Sequence, residues 1–443
     1  MATDPAPNNP DAPDTIVGAL ADEKRRLAKS SPRNILRVLG PGLVTGAADD
    51  DPSGIATYSQ VGAQFGFSLG WVLLFSYPLM AVTQEVSARI GCVTGRGIAQ
   101  NLRRHYPRPI LRAAVLMLLV ANIANLGADL GAMAAALQLL VGGPFLLHVV
   151  GFGVLCVVLE VYLSYARYAA VLKWLTLSLL AYAAVVFAVH VPWSEALRAL
   201  FVPTLTFDSD HAMALVALLG TTISPYLFFW QAAQEVEEGQ RRAAKPLADA
   251  PETAPAELRR VRTDTWLGMG YSNLISLFII FATAATLHAA GITAIDTASQ
   301  AAEALRPIAG NLTFAVFACG IIGTGLLAVP VLAGSAAYAV CETFDWTEGL
   351  DRKLKDARAF YAVIAAATVI GMALNVIGFS PIKALYWCAV LNGVLAAPLM
   401  AAMLLIASNP RIMGRFVLPR SMKLGGWLAT AVMGLASAGF FVL

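Results

Sequence analysis

Charge is what this 443-residue chain has least of. Asp, Glu, Lys and Arg make up 13% of it, about half of the ~25% typical of soluble domains. With 58% hydrophobic residues, that scarcity excludes an ordinary soluble domain and predicts a polytopic membrane protein. Cysteine is also sparse. The five, Cys92, Cys156, Cys319, Cys341 and Cys388, show no C-x-x-C spacing, which argues against a zinc site or a disulfide framework. They read as small apolar packing residues. The five histidines, His105, His148, His190, His211 and His288, form no cluster and fall near segment ends. No His/Glu zinc spacing, no Ser/His pairing at membrane depth and no nucleotide-binding loop occurs, so no enzyme is expected. No resident cofactor and no nucleic-acid partner is expected either. Residues 1–35 lack an apolar h-region and read as a disordered cytoplasmic tail, not a cleaved signal peptide.

What is present is a succession of apolar runs. Windows of about 20 residues give eleven candidate membrane spans, near 36–65, 69–89, 111–139, 144–164, 168–190, 211–236, 266–289, 312–340, 359–379, 382–407 and 426–442. With connections assigned alternately inside and outside, 28 of the 31 Lys and Arg fall inside. Only Arg198, Arg306 and Lys383 fall outside. The positive-inside rule then predicts eleven helices, with the N-terminus in and the C-terminus out. Three regions follow: a tail over 1–35, a core over 36–410, and a connection plus last helix over 411–443. Residues 237–265, with Pro246, Pro251 and Pro255 among alternating charges, read as a solvated linker. Residues 291–311 read as a short amphipathic helix on the outer surface.

Two of the runs are interrupted. The first carries Asp49-Asp50-Asp51-Pro52-Ser53-Gly54. A charge near the bilayer centre costs roughly 2.5–3.5 kcal/mol on the insertion scale, so such acids face a cavity, a partner or an ion. Pro52 removes a backbone donor and Gly54 tolerates unusual dihedrals. The pattern is a helix that unwinds at a cation site. Ten helices divide into spans 1–5 and 6–10, and because five is odd the second set runs opposite to the first. Transporters built as such inverted repeats bind substrate at matching interrupted helices. The sixth span is indeed interrupted, by Gly220-Thr221-Thr222-Ile223-Ser224-Pro225-Tyr226. Carbonyls freed near Pro225 would serve as oxygen ligands, and half-helix ends would add their dipoles.

At these breaks the chain resembles the Nramp family of divalent-metal transporters. The family carries D-P-G-N in its first helix and A-x-x-M-P-H in its sixth. The similarity extends to Gly40-Pro41-Gly42, Gln84 with Ala88-Arg89-Ile90-Gly91, Val93-Thr94-Gly95, Ala128-Asp129-Leu130 and residues 301–334. The resemblance implies an all-α LeuT-type fold, two five-helix inverted repeats plus one extra helix. It also implies alternating-access transport in a bacterial-type plasma membrane by a monomer. Its metal ligands would fall on Asp51, Ser53, Gly54, Thr221 and Ser224, with Asp50 beside them. Gly54 stands in place of the motif asparagine, Ser224 of the methionine, Tyr226 of the histidine and Gln231 of a second histidine. Asp129 keeps a third-helix aspartate, but its companion glutamate is Ala132 here.

These departures point one way. A thioether favours transition metals, and a hydroxyl at Ser224 removes that preference. Mg²⁺ dehydrates reluctantly and binds through one or two carboxylates plus waters. A glycine at 54 would leave room for such an ion. The pattern looks like the Nramp-related magnesium transporters, which carry Mg²⁺ and Mn²⁺ without proton coupling; the alternative is a proton-coupled Mn²⁺/Fe²⁺ carrier. Successive helical steps keep Asp49, Asp50 and Asp51 from all facing one small site, and either Asp49 or Asp50 could join Asp51. Asp129, flanked by Asn122 and Asn125, reads as a polar cavity wall, and Asn392 as another. Glu85 would pair with Arg89 at i, i+4. Glu235, with Glu237 and Glu238, reads either as a solvated helix end or as an acidic vestibule. An organic-solute carrier is disfavoured because three Asp would repel a substrate carboxylate. A membrane sensor would need an added soluble domain, which is not expected in a chain ending at Leu443.

Overall fold

Helices make up nearly all the regular structure of the protein, seen here as a computed structural model that describes residues 40–162, 179–204, 206, 208–378 and 380–442. No strand occurs among the described residues. The tail over 1–35 and residues 163–178, which include the first half of the expected fifth span, lie outside them. Pro41–Leu443 forms one compact unit. Its longer helices are α1 (Pro41–Asp49), α2 (Pro52–Phe65), α3 (Gly70–Thr94), α4 (Ile98–His105), α5 (Arg108–Val141), α6 (Phe145–Tyr162), α7 (Leu180–Ala188), α8 (Trp193–Phe201), α9 (Ser209–Thr222), α10 (Pro225–Arg241), α11 (Ala254–Thr283), α12 (Thr313–Phe344), α13 (Arg358–Leu374), α14 (Pro381–Ala407) and α15 (Arg420–Val442).

Among the described residues, eight helices are long and apolar enough to cross a membrane, α9 and α10 counting as one. The first two expected spans are helical but are not among the eight. The break at Asp49–Asp51 divides one, and Gln84, Glu85 and Arg89 make the end of the other polar. Large apolar side chains such as Leu116, Leu147, Val150 and Leu435 lie exposed on the long helices, as lipid-facing positions require.

Proline and its neighbour set both breaks. The residue before a proline is pushed out of the helical region. Asp51 accordingly has φ −71°, ψ 170°, and Ser224 has φ −75°, ψ 128°. Each proline then occupies the first helical position, where its missing N–H is not needed. Small residues bring the backbones together around the breaks, the usual means of close helix approach in membranes. A Cβ on Gly46 of α1 would lie 2.3 Å from the Gly268 carbonyl of α11. One on Gly220 of α9 would lie 2.1 Å from the Ala389 carbonyl of α14. The start of α1 is fastened as well: Asp264 of α11 accepts from the Gly42 and Leu43 amides at 2.7 and 3.2 Å. Those are unsatisfied donors at a positive helix end, where a carboxylate is favourable.

Residues 237–265 are not the solvated linker expected from composition. α10 runs to Arg241 and α11 starts at Ala254, so Pro255 sits in a helical first turn, where proline is tolerated. Leu247 is buried, and its amide and that of Ala248 donate to the Cys92 and Val93 carbonyls at 3.0 and 3.2 Å. Over 291–311 the helix is short, Ala298–Glu303, begun by a capping box between Thr297 and Gln300.

Candidate cation site

Asp51 joins the two breaks. It caps α2, accepting from the Gly54 amide at 2.6 Å. Its second oxygen accepts from Asn125 Nδ2 of α5 at 2.9 Å and from the Tyr226 hydroxyl of α10 at 3.2 Å. The same tyrosine oxygen lies 3.1 Å from the Ala48 carbonyl at the end of α1. Because a hydroxyl carries one proton, Tyr226 makes one of these bonds at a time. A carboxylate has about four acceptor positions, so three donors leave Asp51 room for a ligand. Its charge has no basic partner among the described residues.

The second break presents oxygens to the first. Thr221 Oγ1 lies 3.3 Å from the point where a Cβ on Gly54 would sit, and the Asp49 carbonyl lies 3.3 Å from it. Gly54 thus allows a close approach of α2 to α9 and does not leave the open space expected of it. Ser224 caps nothing ahead of it. Its hydroxyl turns back on the Gly220 and Thr221 carbonyls at 3.0 and 2.9 Å, which leaves its lone pairs and the second lone pair of the Thr221 carbonyl for a cation. Beyond the break, the first carbonyls of α10 are gripped from outside. Ser335 donates to Tyr226 O at 3.0 Å, Gln84 to Leu227 O at 2.8 Å, and Ser87 to Phe228 O.

Several expected site residues stand elsewhere. Ser53 donates to the Leu385 carbonyl of α14 at 3.0 Å, because the second position of α2 faces that helix. Asp50, expected beside Asp51, is instead 3.2 Å from the Ser272 hydroxyl of α11, as α1 ends at Asp49 and the regular helical steps stop there. Asp49 accepts from the same serine at 2.6 Å. Asp129 is fully buried near Asp51 and Ser53, and neither of its carboxylate oxygens has a well-formed hydrogen bond. Asn392 is buried on α14 beside the Gly393 backbone that meets Gly220.

Gln231 and Glu235 belong to a latch in the middle of α10. Thr45 of α1 lies 2.5 Å from Gln231 Oε1, and Gln231 Nε2 donates to Glu235 at 3.1 Å. Glu235 is fully buried and ion-paired with Arg260 of α11 at 2.5 Å. It is neither a solvated helix end nor an open vestibule acid. Cys92, expected to be a plain packing residue, donates to the same carboxylate at 3.3 Å. All five cysteines are free, and Glu85 pairs with Arg89 at 2.8 Å, as the spacing predicted. Removing one partner of a buried ion pair costs about 3–5 kcal/mol because the other charge is stranded. Arg260→Ala is therefore expected to destabilise the protein by roughly that amount. The double change with Glu235→Gln should recover most of it, as read by thermal unfolding of the purified chain.

The family model described as natural resistance-associated macrophage protein-like matches residues 42–443. The chain belongs to the Nramp family. Among its relatives is the divalent metal cation transporter MntH of Deinococcus radiodurans, 27% identical over 98% of this chain and 96% of that one. The MntH of Klebsiella pneumoniae is 25% identical over 90% of this chain and 92% of its own. The crystal structure of the Eremococcus coleocola manganese transporter superposes with a TM-score of 0.77 at 17% identity, covering 93% of this chain and 88% of that one. That likeness is one of fold, the all-α LeuT-type fold. It sets the broken helices of this Nramp chain in a known architecture and leaves their side chains to be read from the geometry above.

Of the residues that matter here, Ser272, Ser276 and Tyr58 escaped the sequence reading. A serine in the middle of an apolar helix carries no signal by itself.

Proposed function

We propose that this Nramp chain is a secondary transporter of divalent metal cations that carries Mg²⁺ and Mn²⁺ by alternating access. The ion would sit between the two breaks, held by Asp51 with the Thr221 carbonyl and the Ser224 hydroxyl and keeping part of its water. One observation carries the reading. A buried, basic-free carboxylate stands at the meeting point of two proline-set breaks, with oxygen donors from both. Oxygen ligands suit hard cations, and Mg²⁺ in particular is bound through few carboxylates and several waters. Family membership and relatives named as divalent metal cation transporters support the same class. The distribution of Lys and Arg supports a plasma-membrane protein of eleven helices with its N-terminus inside. The core is then residues 36–410, acting as a monomer.

Ala132 and Tyr226 replace the groups that a proton-coupled relative would use, so transport is read as uncoupled from protons. The buried carboxylate of Asp129, without a well-formed hydrogen bond, favours the second reading, a proton-coupled carrier. One experiment separates them. In proteoliposomes, Mg²⁺ should inhibit Mn²⁺ uptake within about tenfold of equal concentration, since no soft ligand discriminates. A pH dye inside should record no metal-dependent acidification. Strong preference for Mn²⁺ over Mg²⁺ would overturn the hard-site reading, and a metal-dependent pH change would establish the coupled one.

A further inference from the structure

Asp49 and Asp50 are buried charges that the site at Asp51 leaves unexplained. Both are 1% exposed, and their charged neighbours are one another and Asp51, with no basic group. The donors offered to them are few. Ser272 Oγ lies 2.6 Å from Asp49 Oδ2 and 3.2 Å from Asp50 Oδ1, yet a hydroxyl has a single proton to give. Ser276 Oγ is 3.5 Å from Asp50 Oδ1 and only 3.0 Å from the Ser272 carbonyl, so its proton goes to the carbonyl. Asp49 Oδ1 and Asp50 Oδ2 have no partner.

A third group, independent of the acids, faces the same place. Tyr58 of α2 is fully buried, its hydroxyl has no well-formed hydrogen bond, and it lies beside Ser276 in the field of both carboxylates. Such an assembly of orphaned oxygens lacks a positive charge. Nor does it merge with the site at Asp51. Among the described residues the only trio of acid, thiol or imidazole groups that converges within 4.8 Å is Cys92, Glu235 and Glu257, and Arg260 already holds both of those glutamates. The three aspartates do not converge. Asp51 turns to α5 and α10, whereas Asp49 and Asp50 turn to α11.

We infer that Asp49, Asp50, Tyr58 and Ser272 form a second cation site, separate from that at Asp51, which takes a hard divalent ion. Two carboxylates and two hydroxyls are an all-oxygen, doubly anionic set, matched to Mg²⁺ or Ca²⁺ in both hardness and charge. An ion held there bridges the end of α1 and the start of α2 to α11. It supplies the missing positive charge and completes the three orphaned oxygens of Asp49, Asp50 and Tyr58.

The test counts ions. Full-length protein in lipid nanodiscs is titrated with Mg²⁺ and with Ca²⁺ by calorimetry and equilibrium dialysis. Two ions per chain are expected for the wild type, and one for Asp49→Asn/Asp50→Asn. One is also expected for Asp51→Asn, held with the affinity of the second site. A single ion in the wild type, lost in Asp51→Asn, would overturn the second site and leave the first intact. Two ions surviving in Asp51→Asn would instead overturn the reading of Asp51. Filling by Na⁺ and not by Mg²⁺ or Ca²⁺ would overturn the divalent assignment. Should the double variant fail to fold, Ser272→Ala removes one hydroxyl only. It should weaken the second ion by about tenfold or more with the first unchanged, and unchanged binding of both would overturn the site.

Discussion

Asp51→Ala is expected to reduce Mn²⁺ and Mg²⁺ uptake in proteoliposomes by at least about a hundredfold, equivalent to roughly 2.7 kcal/mol of lost interaction. The magnitude follows from the site's composition. Asp51 is the single charged group of the proposed site, and the remaining proposed donors are a carbonyl and a hydroxyl already engaged with one another. Alanine would also remove the cap of α2, worth about 1 kcal/mol, and strand the amide of Asn125. Asp51→Asn separates these effects. Asparagine caps a helix as well as aspartate does, so the fold and the break should survive while the charge is gone. Both variants should be inactive, but only the alanine variant should melt measurably lower. Asparagine with wild-type uptake would mean that the ion is held elsewhere.

Gly220→Val carries the other large effect. The added Cβ would lie 2.1 Å from the Ala389 carbonyl, 2.3 Å from the Gly393 amide nitrogen and 2.7 Å from the Gly393 Cα. These are backbone atoms of a long helix, which cannot rotate aside as a side-chain tip would. α9 must therefore move bodily from α14, at a cost of about 1–3 kcal/mol or more for such overpacking. The next residue is Thr221, so the same displacement pulls an oxygen of the proposed site away from Gly54 and Asp51. Loss of nearly all uptake and a clearly lower unfolding temperature are expected. Gly239→Ala on α10 is the control, since its Cβ would meet nothing within 4 Å. Exchanging a helical glycine for alanine there should be neutral or stabilising by up to about 1 kcal/mol. Equal behaviour of the two variants would mean that the contact of α9 with α14 does not position the site.

The errors of the sequence reading share one cause. Composition identifies 237–265 as polar and proline-rich, but the amides of Leu247 and Ala248 pair with the carbonyls of Cys92 and Val93, about 150 residues earlier in the chain. Glu235 looked solvated because its partner, Arg260, lies in that same misread stretch. Gly54 reads as empty space because a sequence does not show the neighbouring helix, and in the fold the freedom of glycine serves close approach and not room.

The sequence by itself determined the membrane class, both breaks and the family. All of these rest on properties local in the chain: apolar runs of bilayer length, a proline that forbids the helical shape to the residue before it, and motif residues in order. Only the tertiary structure decided how three adjacent aspartates divide. Asp51 turned to Asn125 and Tyr226, and Asp49 and Asp50 to Ser272, 223 and 222 residues further along the chain. No local rule orients a carboxylate at a broken helix, because there the regular 100° step is gone. Its direction is set by whichever buried donors the packing of distant helices brings within reach.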